Sequence, residues 1–193
     1  MNFLFSIFAY TDGPHADTGG HVAGSKLKGL LFGFLLVAFI IIFEIICARL
    51  ALPAWPAFMV MIFFFVVHED IKMIPPILTG GAAGIACVFL IEKFVGLLGP
   101  SLGHEAAKLA FIGIFVYSIV MLKDRIPWVF NSFAFMFFLV SSLAGHSSGV
   151  NVPVWIGIEV ILGGIFIAGI LGINWIVDVL IRGFRGQEEV SGQ

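Results

Sequence analysis

Few residues in this chain could do chemistry, and most of them interrupt long apolar runs. Two carboxylates stand out, Glu44 and Glu159, because each lies inside such a run. At about 3.6 residues per turn, Glu44 falls roughly four turns into the first run and Glu159 about two turns into the last. Charge surrounded by lipid is costly, so each carboxyl should face the protein interior, pair with a cation or carry a proton. Counted from the outer ends, both fall in the same external third of a bilayer, where Arg49 and Lys108 are the available cations. Two roles stay open for Glu44 and Glu159: a site for a coupled ion or proton, or structural pairing with Arg49 or Lys108.

Two polar breaks offer other groups. The first reads His68, Glu69, Asp70, Ile71, Lys72, followed by Pro75 and Pro76. Its side chains could form a mouth or proton relay, or a solvated loop in which Glu69 or Asp70 complements the N-terminus of the next helix. The second contains Ser141, Ser142, Gly145, His146, Ser147, Ser148, Gly149 and Asn151. Hydroxyl and amide groups of this kind can replace the hydration shell of a small solute, which would make a vestibule or filter. Ser, Gly and Asn also serve any turn.

Catalytic and metal motifs are formal only. Gly145, Ser147 and Gly149 satisfy G-x-S-x-G, which needs a strand-to-helix elbow, and here the motif joins two apolar segments. His104 and Glu105 open H-E-A-A-K, which lacks the second histidine of the zinc motif. His15, Asp17 and His21 lie in a Gly-containing linker with no matching ligands. No metal, cofactor, enzymatic activity or ATP-binding motif is expected.

The elements that carry these groups follow from composition. Of 193 residues, 60% are hydrophobic and only 11% charged, against about 25% charged in an ordinary soluble domain. So few ionised groups cannot cover a water-facing surface, and the expected solvent is lipid. A net charge of -2 leaves no basic field for nucleic acid. Cys47 and Cys87 sit in apolar runs and read as small apolar side chains.

Six apolar stretches can be marked: 27 to 50, 54 to 67, 74 to 98, 106 to 122, 128 to 144 and 153 to 181. At about 1.5 Å per residue the first, third and sixth exceed the ~30 Å hydrocarbon core, while the second reaches only about 21 Å. That second stretch is either a short crossing or a re-entrant half-helix. Pro53, Pro56, Pro127 and Pro153 mark span starts, where a missing N–H costs little. With six crossings, seven Lys and Arg residues (Lys26, Lys28, Lys72, Lys123, Arg125, Arg182, Arg185) share one side and three (Arg49, Lys93, Lys108) the other. Both termini are therefore expected in the cytoplasm. Trp55, Trp128, Trp155 and Trp175 fall near span ends, as interfacial indoles do. The apolar first ten residues lack a basic flank and a cleavage site, which argues against a signal peptide. They read as an interfacial segment or as a tail. Asp178 and Arg182 are spaced as an i,i+4 pair.

Small residues four apart, Gly29 and Gly33, Gly80 and Gly84, and Gly164, Ala168 and Gly172, predict close helix packing. Phe58, Phe63, Phe64 and Phe65 read as core or lipid-facing rather than as a gate.

The chain also repeats itself. At an offset of 74, Pro53 meets Pro127, and Phe63, Phe64 and Phe65 meet Phe137, Phe138 and Leu139; at 78, His68 meets His146 and Pro75 meets Pro153; at 79, Gly84 meets Gly163. A four-residue insertion, about one helical turn, reconciles the first two offsets. Two three-span halves must be inverted relative to each other, an arrangement many transporters share, and a solute path between them is its natural use. A duplication that merely built a stable bundle is the other reading.

The segments PAWPAF and ILTGGAAGIACVFL, then SFAFMFF and ILGGIFIAGIL, resemble the YcdZ-like family of small bacterial inner-membrane proteins, a family of unknown function. The resemblance covers roughly residues 53 to 98 and 127 to 175 and implies a membrane location and a transport role. The expected protein is all-α and polytopic, with six transmembrane helices as two inverted three-helix repeats. Its parts would be an interfacial segment and linker (1–26), repeat 1 (27–98), repeat 2 (99–182) and a cytoplasmic tail (183–193). Its expected task is passage of a small solute or ion in a homo-oligomer; the alternative is a membrane anchor for other subunits.

Overall fold

A computed structural model describes the backbone of residues 19–148 and 151–191, and the side chains of 26–145 and 151–183. Regular structure among the described residues is wholly helical: α1 (Gly19–Arg49), α2 (Trp55–Val66), a 3-10 turn (Ile71–Met73), α3 (Ile74–Leu102), α4 (His104–Leu122) and α5 (Ser132–Ser148). A final rod follows, made of α6 (Val152–Gly157), a π-helical turn (Ile158–Leu162) and α7 (Gly163–Ser191). Each of the six apolar stretches falls on a helix, but among the described residues only four segments are both long and apolar enough to cross a membrane: 26–49, 71–102, 104–122 and 152–183. α2 and α5 are shorter apolar helices. At 12 residues α2 extends only about 18 Å.

Helix ends follow local chemistry. Prolines occupy the first turns of α2, α3 and α6, where they cost no hydrogen bond. Pro127 instead lies in the turn before α5, and Asn131 starts that helix: its Oδ1 accepts from Ala134 N–H at 2.9 Å. The same amide donates to the carbonyl oxygens of Pro127 (2.9 Å) and Pro76 (3.1 Å), tying the start of α5 to the start of α3. α2 closes through two residues in the left-handed region, His68 (φ 58°) and Glu69 (φ 59°), with Glu69 N–H donating to Phe64 O at 2.9 Å. Only Gly103, at φ 88°, separates α3 from α4, so both helices run on into the gap between the third and fourth apolar stretches and meet at one glycine.

The chain forms two compact units. In the smaller, made of residues up to 35 and from 174 onward, Lys28 Nζ stands 2.7 Å from Asp178 Oδ1. Lys28, on another helix, is thus the close partner of Asp178, and Arg182 at the expected i,i+4 spacing adds its charge nearby.

The larger unit, Leu36–Ile173, holds the aromatic core. Phe64, Phe137, Phe138 and Phe166 are almost fully buried, which places the phenylalanine run of α2 against protein on its Phe63 and Phe64 side. Phe63 meets Phe137 with ring centroids 5.5 Å apart. Phe166 gathers Phe39, Phe43 and Phe58 around it. Glycines set the closest approaches. A Cβ on Gly84 would strike the carbonyl oxygen of Ala134, and one on Gly163 would stand 2.7 Å from Val60 Cγ2. Gly80 faces the Asn131 amide and Gly169 the Phe39 ring. The expectation for Gly29, Gly33, Gly164 and Gly172 is corrected: nothing lies within 4 Å of where their Cβ would be. A four-residue spacing selects one helix face, but which face meets a neighbour depends on the fold.

Candidate functional site

Glu159 lies in the π-helical turn and is wholly buried. Its carboxyl sits over the bare Cα of Gly81 on α3: a Cβ there would collide with Oε1 and stand 3.0 Å from Cδ. The ring of Phe137 on α5 closes the same spot, 2.8 Å from that Cβ position. α2 packs along the π turn as well. Neither carboxyl oxygen has a hydrogen-bond partner among the described residues.

Among the described residues, none beside it cancels a negative charge. α2 contains no ionisable side chain, and the only ionisable residue of α5 is His146. On α3 the ionisable residues, Cys87, Glu92 and Lys93, begin six positions beyond Gly81. Lys108 is engaged elsewhere, 3.4 Å from Glu105 on its own helix, so the pairing expected for Glu159 with Lys108 does not form. An unpartnered buried carboxylate is among the costliest groups a protein can hold. Its charge must be cancelled, by a proton or by a cation that enters the site.

The backbone here is irregular as well. A π turn closes i→i+5 hydrogen bonds and so holds one residue more than an α turn, and such turns concentrate at functional sites. The π turn lies between Pro153 and Gly163, the stretch over which the spacing of like residues passes from 78 (Pro75 and Pro153) to 79 (Gly84 and Gly163).

The other expected site residues are dispersed. Glu44 is exposed on α1 rather than facing the interior, and no ion pair reaches it among the described residues. His68 is exposed and Glu69 half-buried in the α2–α3 turn, where Asp70 caps the 3-10 turn by accepting from Lys72 N–H at 3.0 Å. Asn151 caps α6, its Oδ1 accepting from Val154 N–H at 3.4 Å. Gly145, His146 and Ser147 continue α5 instead of forming a break, and the side chains of His146 and Ser147 lie outside the described residues, as do those of His15, Asp17 and His21. No cluster of three or more metal-ligating side chains occurs among the described residues.

Sequence reasoning picked out Glu159 but missed Gly81 and Phe137, which confine it. The Gly80–Gly81 pair was the available signal, since two adjacent glycines in an apolar helix mark a close approach of some other group.

Comparison with known proteins returns no matching family, no matching curated protein and no matching solved structure.

Proposed function

We propose that this chain is an integral protein of a bacterial inner membrane that passes a small solute or ion, with uptake and release of a proton or cation at Glu159 driving or gating the passage. The observation that carries this reading is the buried, unpartnered Glu159 carboxyl on a π turn. Ionisable groups at membrane depth are retained where charge must move.

The reading takes the fold as two inverted three-helix repeats, α1 to α3 and α4 to α7, with both termini in the cytoplasm. Its support is the exchange of equivalent contacts. Gly84 on α3 packs on Ala134 of α5, and Gly163 at the start of α7 packs on Val60 of α2. Gly84 and Gly163 are the glycines matched at 79, while Val60 and Ala134 stand 74 apart, as do Phe63 and Phe137, which touch each other. A two-fold relation between halves produces this pattern: each third helix meets the other half's short helix, and one equivalent pair meets on the axis. Glu159 and Gly81 stand 78 apart, the offset that holds just before the extra residue of the π turn. One half contributes the carboxyl and the other the glycine that makes room for it. The resemblance to the YcdZ-like family agrees with a transport role. His68 and Glu69 at one end, and His146, Ser147 and Asn151 at the other, are the candidates for the two mouths.

A second reading, an anchor for other membrane subunits, draws on α1. Exposed Glu44 lies among exposed Ile41, Ile42, Ile45 and Ile46, and a carboxylate on such a face calls for a protein neighbour or water.

Proteoliposomes with a pH-sensitive dye inside test the proposal. A panel of small cations, anions and neutral metabolites is added under an imposed pH gradient. At least one class should move protons in the wild type and none in Glu159→Gln. Equal proton movement in both would contradict the role of Glu159.

A further inference from the structure

The surroundings of Glu159 restrict which ion can be exchanged there. A proton needs one oxygen, to which it binds covalently. Hard metal cations gather about six or more oxygens, and softer ones call for imidazole or thiolate. Between residues 152 and 173, Glu159 is the only side chain that carries an oxygen. α2, packed along the π turn, has none. On α3 the nearest is Thr79, whose hydroxyl lies within hydrogen-bond distance of the Pro75 and Trp128 carbonyl oxygens. The Asn131 amide, beside Gly80, is taken up by Ala134, Pro76 and Pro127. On α5, Ser141 stands one turn past Phe137 and donates its hydroxyl to the Phe137 carbonyl oxygen. With those groups committed, the carboxyl is the one free oxygen ligand that side chains bring to the site among the described residues.

The backbone does not make up the difference. Transporters that hold Na⁺ at membrane depth use the carbonyls of unwound helices. Here α6, the π turn and α7 run as one unbroken rod, and Gly163 N–H donates to the Ile158 carbonyl oxygen across the turn. Room is short as well, since a methyl group on Gly81 would already collide with Oε1. For softer metals the nearest thiol, Cys87, stands six positions past Gly81, about 9 Å along α3, and His146 nine positions past Phe137, about 14 Å along α5. The other titratable groups of the packed helices, Glu92 and Lys93, lie further along α3, and α2 and α6 carry none. We infer, resting on Glu159 as the exchange site of the transport reading, that the ion taken up and released there is a proton and that metal cations are excluded. Uptake makes an O–H bond on the carboxylate and leaves a neutral acid that suits the Phe137 ring and the bare Gly81 backbone; release breaks that bond and returns the charge.

Infrared difference spectroscopy of the full chain in proteoliposomes tests it by reading the carbonyl stretch of a protonated carboxyl. The Glu159 band is the one that Glu159→Gln lacks and Glu159→Asp shifts, so the second variant identifies it even if the first fails to fold. As pH is raised the band should vanish, with a midpoint that Na⁺, K⁺, Mg²⁺ and Ca²⁺ leave unchanged. A monovalent cation sharing the site would displace the proton and lower the midpoint by about one pH unit for each tenfold rise above its dissociation constant. Such a shift, with any of the four cations, would overturn the proton assignment and leave Glu159 standing as an exchange site. A cation-independent midpoint together with equal proton movement in wild-type and Glu159→Gln liposomes would support the proton assignment and overturn the transport reading. A band that persists at every pH would overturn both, because the proton would not exchange.

Discussion

Replacing Gly81 by alanine separates a packed carboxyl from an ordinary helical glycine. In an unhindered helix interior, Gly→Ala stabilises by about 1 kcal/mol through backbone entropy. Gly29, with nothing within 4 Å, should show that gain. At Gly81 the new methyl would collide with Glu159 Oε1 and stand 2.8 Å from Phe137 Cε2, both belonging to buried side chains with little room to move. Overpacking of this kind costs about 1–3 kcal/mol, which offsets the propensity gain and leaves Gly81→Ala as much as about 2 kcal/mol less stable than wild type. Glu159→Asp withdraws the carboxyl by one methylene and should restore part of the loss in the double variant, a coupling of about 1–2 kcal/mol. Reversible unfolding in detergent, followed by far-UV circular dichroism, measures all four corners of the cycle. If Gly81→Ala gained stability as Gly29→Ala does, or the two changes were simply additive, the carboxyl would not lie where we place it.

Other consequences are as direct. Asn131→Ala should cost about 1–2 kcal/mol through loss of the α5 cap, whereas Asn131→Asp keeps the cap and loses only the donation to Pro76 and Pro127, so thermal unfolding should rank the two. Glu159→Leu should raise the unfolding temperature while abolishing proton movement, because a buried unpaired acid is often less stable than a packed hydrophobe; a lower unfolding temperature in a folded, active variant would refute this. Paired cysteines at Lys28 and Asp178 should be joined within one chain by a short thiol crosslinker, since the native side chains meet at 2.7 Å, and absence of the linked product on a denaturing gel would contradict the contact.

Much of the fold was legible because apolar length, proline position and glycine content are one-dimensional signals. The six stretches map onto helices, and prolines stand in the first turns of α2, α3 and α6. Helix ends were less legible. The polar run from Ser141 to Ser148 stays helical because Ser141 satisfies its hydroxyl on the Phe137 carbonyl within its own helix, so polarity there does not break the chain. Packing faces were legible in part. Gly84 meets the α5 backbone and Gly80 the Asn131 side chain, but Gly163 and Gly169, not Gly164 and Gly172, meet Val60 and Phe39, because only the three-dimensional arrangement decides which helix face has a neighbour. Of the two acids that the sequence analysis singles out, Glu159 is confined and Glu44 exposed, a distinction that hydropathy cannot draw. Glu92, inside the third apolar stretch, carries the same signal as Glu44 and Glu159, and like Glu44 it is exposed.

The central claim, that the Glu159 charge is cancelled by an exchangeable proton or cation, is tested most directly by carbodiimide labelling in proteoliposomes. Such a lipid-soluble reagent modifies protonated carboxyls in apolar surroundings, and peptide mass spectrometry locates the adduct. We expect the adduct at Glu159, declining as pH is raised or as a bound cation takes the proton's place, and absent from Glu159→Gln. An unlabelled Glu159 at every pH and cation concentration, with equal total labelling of wild type and Glu159→Gln, would contradict it.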